Sequence, residues 1–124
     1  MVLVDSSVWF AYFDIEDHQH KQASDFFSTN QDVIIMPYSV ANELATVFAY
    51  SHSKELADEF VQTAINNQQI KIVDNSFPKE ALYFLSFNTK MSFTDYSLAC
   101  LAKNNGYQLI TFDKQLEKFF KKVV

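Results

Sequence analysis

Four carboxylates stand where a folded chain usually places apolar side chains. Asp5 ends the run VLV with no loop between. Asp113 stands two residues past a second such run, YQLIT. Glu43 shares helical spacing with Val40, Leu44 and Val47 in YSVANELATVF, and Asp95 shares it with Leu98, Ala99 and Ala102 in TDYSLACLA. Residues so spaced lie on one helix face, so both acids are expected to point inward. Asp95 also falls in a first helical turn, where the helix dipole favours an anion. An inward ionised carboxylate is costly unless it is paired or binds a cation. Only Lys114 adjoins any of the four in sequence, and neighbouring side chains usually diverge. A cluster left alone would repel itself and take up protons. A divalent cation resolves the conflict, and an all-oxygen set without His or Cys points to Mg²⁺ or Mn²⁺ rather than Zn²⁺.

The elements that would aim these acids follow from the apolar periodicity. MVLVD, DVIIMP, IKIVD and YQLIT read as strands, and SSVWFAYF, DHQHKQASDFFSTN, YSVANELATVFAY, SKELADEFVQTAINN, SFPKEALYFLSFN, TDYSLACLAKNNG and DKQLEKFF as helices. Ser39 and Thr94 are expected to cap their helices, Pro78 to sit in a first turn, and Gly106 to end a helix. The terminal KKVV could add a small edge strand. Strands separated by helices indicate an α/β fold, a three-layer α/β/α arrangement with a central parallel sheet of four to five strands. In such sheets ligands bind beyond the carboxyl ends of the strands, where the strand order reverses.

The 124 residues suit a single domain, 1–124. No apolar run is long enough to cross a bilayer, no leader pattern is visible, and one cysteine, Cys100, cannot form an internal disulfide. A cytoplasmic protein is expected. The net charge of −5 is uneven. Residues 1–62 carry ten acids against two lysines, and residues 63–124 carry five against eight. Arginine is absent, which removes the bidentate phosphate clamp. Lys114, Lys118, Lys121 and Lys122 form a basic cluster that reads as a solvated helix face, with phosphate contact as the sharper alternative. His18, His20 and His52 read as surface residues. Trp9 and the thirteen phenylalanines are expected to be mainly core, but some of Phe10, Tyr12, Phe13, Phe48, Tyr50, Phe84 and Phe87 are expected to exceed what one core can bury and to form an exposed interaction patch.

VLVDSSVWF, the acidic DIEDHQHKQA, SVANELATVF, SFTDYSLACLAKNNGYQLITFD and KQLEKF resemble, in order, the motifs of the PIN domain family. The chain is most similar to the short VapC-type toxins of prokaryotic toxin–antitoxin pairs. The resemblance implies a metal-dependent nuclease acting mostly on RNA. Its acidic site would be Asp5, Glu43, Asp95 and Asp113. Ser7 would match a small hydroxyl position near the first acid, and Thr111 the hydroxyl residue that orients the last. It further implies a homodimer held inactive by a co-expressed antitoxin, and the exposed aromatics would mark the dimer or antitoxin surface. Many relatives carry an arginine where Phe112 stands, which leaves RNA-backbone binding here to lysines. The alternative is a non-catalytic interaction module whose acids hold a structural ion.

Overall fold

Val2, Leu3 and Val4 form β1 (Val2–Val4), which is buried on both faces. The computed structural model describes residues 1–124. After β1 come α1 (Ser6–Phe13), α2 (His20–Thr29), β2 (Ile34–Pro37), α3 (Tyr38–Ser51), α4 (Lys54–Asn66), β3 (Ile70–Val73), α5 (Phe77–Leu85), α6 (Phe93–Asn105), β4 (Gln108–Ile110) and α7 (Lys114–Val123). All strand pairs are parallel, in the order β3-β2-β1-β4. Leu3 stands opposite Ile35 on one side and Leu109 on the other. The chain steps outward from β1 to β3, then crosses back to place β4 on the far side of β1. Right-handed crossovers put successive helices on one face until the direction reverses. Accordingly, α1 to α4 pack with one another, as do α5 to α7. The result is the expected α/β/α fold, and its strand order reverses between β1 and β4.

The fifth strand does not form. KKVV continues α7 as far as Val123, because Leu116, Phe119, Phe120 and Val123 repeat at helical spacing and all pack on the core. Two expected caps also move. Ser92, not Thr94, caps α6, its Oγ accepting the Asp95 N–H at 3.1 Å. Helix α3 begins at Tyr38, straight out of β2, so Ser39 lies inside its first turn. The free Ser39 N–H is satisfied from outside by Asn75 Oδ1 at 3.4 Å. Pro78 lies in the first turn of α5, and Gly106 ends α6 at φ 70°. That left-handed backbone is one that side chains with a Cβ disfavour.

Most of the aromatic excess is internal. Trp9, Phe13, Phe48 and Phe60 interlock on one side of the sheet, with Phe48–Phe60 ring centroids 5.5 Å apart. Tyr83, Phe84, Phe87, Tyr96 and Phe119 do so on the other. The expected patch is therefore corrected. Phe48 is fully buried, and Phe10, Phe13, Phe84 and Phe87 pack on the core, leaving Tyr12 and Tyr50 exposed. Apolar exposure concentrates instead on Phe77, Leu82 and Leu85 of α5. Phe48→Ala should destabilise the fold by about 3–5 kcal/mol, measured by urea unfolding. A loss below 1 kcal/mol would show that Phe48 does not anchor the core.

Candidate functional site

Asp5 leaves β1 still paired, its N–H donating to the Ile110 carbonyl at 2.9 Å. Its side chain is 4% exposed and accepts from three hydroxyls. Ser7 Oγ and Thr111 Oγ1 donate to Oδ2 at 2.9 and 2.7 Å, and Ser6 Oγ to Oδ1 at 3.3 Å. Thr111 Oγ1 in turn accepts the Asp113 N–H at 2.9 Å, and Ser7 Oγ accepts the Phe112 N–H at 3.2 Å. Two hydroxyls thus stitch the β1–α1 corner to the β4–α7 corner. Asp113 caps α7, its Oδ1 accepting the N–H groups of Gln115 and Leu116 at 2.9 and 3.2 Å. One oxygen of Asp113 is thereby committed to the helix.

Asp95 enters from the first turn of α6 and is half-buried. Its carboxyl is pushed up to about 6, first by burial and then by the charges of Asp5 and Asp113, with a smaller contribution from Glu43. Asp5, Glu43, Asp95 and Asp113 all line one groove of about 350 Å³, together with Ser7 and Asp17. Glu43 departs from expectation. It is exposed at the rim and does not point inward with Val40, because its long side chain reaches solvent from the edge of the stripe. None of the four acids is paired with a lysine or histidine.

No three His, Cys, Asp or Glu side chains stand close enough to form a ready-made ligand shell. Converging carboxylates without a counter-charge repel one another. The donor set itself fits a hard divalent cation. It is all oxygen, lacks a compensating base, and raises the pKa of Asp95 first by burial and then by its neighbours' charge.

The histidines lie outside this groove, and His18 is exposed beside Asp17, with Nδ1 3.8 Å from Asp17 Oδ1. His20 Nδ1 contacts the Ala11 carbonyl at 2.8 Å, and His52 Nε2 contacts Asp14 Oδ2 at 3.2 Å. Both border a larger groove of about 750 Å³ beside the α1–α2 connection.

Glu80 is absent from the expected set, yet it is 5% exposed. Its Oε1 accepts from Ser97 Oγ at 2.5 Å and its Oε2 from Asn75 Nδ2 at 3.1 Å. Asn75 also holds Ser39. The network ties the first turn of α3, which leads to Glu43, to α6, which carries Asp95. The sequence signal was present, since Phe77, Glu80, Phe84 and Phe87 share one helical stripe.

A family model described as the PIN domain matches residues 2–122. Among solved structures the chain is similar to the Mycobacterium tuberculosis toxin VapC20, described as cleaving the sarcin–ricin loop. The two share 18% identity and a TM-score of 0.85, over 96% of this chain and 95% of that one. Comparison with curated proteins gives no match.

Two outcomes follow from the electrostatics and hydrogen bonding. Asp95 has a folded pKa of about 6 against an ordinary 3.8, so the folded state holds the extra proton between those values. Stability of the metal-free protein should therefore fall as pH rises through that window. In EDTA at pH 7, Asp95→Asn should melt higher than wild type and flatten the fall. A variant melting no higher than wild type would contradict the repulsion. Thr111→Val removes a buried donor to a charged acceptor at little change in shape, and should cost about 1.5–3 kcal/mol in urea unfolding. A neutral result would mean that the clip between the corners carries no stability.

Proposed function

The chain belongs to the PIN domain family, and on that premise we propose that it is a Mg²⁺-dependent endoribonuclease of VapC type. The reading rests on the groove at the β1/β4 crossing, where Asp5, Asp95, Asp113 and Glu43 converge without a basic partner. Asp5, Asp95 and Asp113 would hold Mg²⁺ or Mn²⁺, and Glu43 would complete the shell from the rim. When bound there, a divalent cation supplies Lewis-acid activation of water for attack on phosphorus and neutralises charge on the phosphate oxygens. Ser7 and Thr111 fix the rotamer of Asp5, so this carboxylate meets the cation without reorganising. Asp113 is held by the helix it caps and offers its second oxygen to the groove. Asp95 must release its proton before it can serve as a ligand, which ties metal affinity to pH near 6.

Toxin activity is inferred from the likeness to VapC20, and an antitoxin would then hold the protein inactive in the cell. A homodimer is supported by the exposed Phe77, Leu82 and Leu85 on α5. No helix is long and apolar enough to cross a membrane. Together with an RNA substrate and a single unpaired cysteine, this supports action in the cytoplasm.

Incubation of total RNA with the protein should give Mg²⁺-dependent cuts bearing 5′-phosphate and 3′-hydroxyl ends. Asp5→Ala and Asp95→Ala should lower the rate by at least about 100-fold, with the fold intact by circular dichroism. Cleavage that persists in EDTA, or that leaves 2′,3′-cyclic phosphates, would refute the mechanism. Metal-dependent stabilisation without cleavage of any RNA would instead identify a non-catalytic metal-binding module.

A further inference from the structure

Four lysines crowd the C-terminal helix, and the structure separates them. Lys114, Lys118 and Lys122 follow one another at four-residue intervals along α7, starting beside Asp113. Lys121 lies on another stripe, bridged to Glu117 at 3.6 Å. Lys118 and Lys122 line a groove of about 500 Å³ whose apolar wall is made by Phe87, Phe119 and Val123. Gln115 closes the end nearest the acids. Its N–H donates to Asp113, and its side-chain amide donates to the Lys90 carbonyl at 2.9 Å. Gln115, which lines this groove, is thus hydrogen-bonded to Asp113, which lines the carboxylate groove. No carboxylate lines the groove along α7, whereas each of the four other large grooves carries at least one.

We propose that this groove along α7 is the track that holds single-stranded RNA leading away from the scissile bond. Lys118 and Lys122 contact successive phosphates, and bases lie toward Phe87 and Val123. The inference rests on the nuclease reading and assigns that site its substrate path. Its basis is charge complementarity in a protein that is otherwise acidic. Lysines four residues apart on a helix are about 6 Å apart along its axis, a step comparable to that between phosphates on an extended strand. A cationic wall beside an apolar one is the arrangement that takes single strands without regard to sequence. With arginine absent, point-charge contacts from lysine are the means available for holding the backbone.

The test compares wild type, Lys118→Ala/Lys122→Ala and the control Lys121→Ala. Cleavage of a fluorescein-labelled single-stranded RNA is followed in Mg²⁺, and binding of the same RNA is followed in EDTA, each over a range of salt. Each phosphate contact on a single strand adds about 0.7 to the slope of log affinity against log salt. The double variant should lose about 1.4 from that slope and raise KM roughly tenfold at unchanged kcat. Lys121→Ala should match wild type. Wild type that cleaves while the double variant keeps its slope and KM refutes the track and leaves the nuclease reading standing. Equal effects from Lys121→Ala and the double variant reduce the result to net charge and also refute it. A double variant that changes oligomeric state with RNA binding unaltered makes the groove a protein interface. Wild type that neither binds nor cleaves RNA refutes the nuclease reading, and the track with it.

Discussion

The hydrogen bond from Thr111 to Asp5 is the constraint on which the site depends. It joins residues 106 positions apart and closes the corner where the strand order reverses. Sheet pairing alone brings β1 and β4 side by side, but it does not fix side-chain rotamers beyond their ends. The Thr111 hydroxyl does so for two acids at once, donating to Asp5 and accepting from the backbone of Asp113. The Ser7 hydroxyl does the reciprocal job from the β1 side. A buried carboxylate with three hydroxyl donors and no cation is held by geometry rather than by charge. Its charge adds to burial in raising the pKa of Asp95.

How far the sequence could be read depended on which physical rule governed each residue. Asp5 and Asp113 were legible because an acid directly after a buried strand of a parallel sheet has only the carboxyl edge to occupy. Asp95 was legible because its stripe is strongly apolar and half-buries it. The same rule misplaced Glu43, whose longer side chain swings to the rim from the edge of its stripe. The rule also marks Glu80, which is the more deeply buried of the two glutamates. Its partners Ser97 and Asn75 lie on other elements, so neither could be named from local spacing. The caps of α3 and α6 each shifted by two residues, to Pro37 and Ser92, since α3 starts straight out of β2 and the Ser92 hydroxyl takes the cap of α6. KKVV departs from the expected strand because it continues a helical repeat that begins at Leu116.

The charge asymmetry of the sequence takes a spatial form. Carboxylates gather at the β1/β4 edge, and lysines continue from that edge along α7. A polyanion would be repelled by the first region unless a cation were bound there, and attracted by the second. Phe112 contributes its backbone N–H to the clip, while its side chain packs against the core.

The order in which the chain emerges during synthesis gives the Thr111–Asp5 bond a temporal meaning. Asp5 is made long before its principal support, which belongs to the last strand of the sheet and the corner after it. Contacts so distant along the chain form only after the loop between them has closed. A growing chain that has completed α6 holds Asp5 and Asp95 but lacks β4, Thr111 and Asp113. The acids present on such an unfinished chain lack the clip that fixes Asp5. Whatever chemistry the site performs waits for β4 and the corner after it, and a truncation that removes them takes away Thr111, Asp113 and the clip on Asp5.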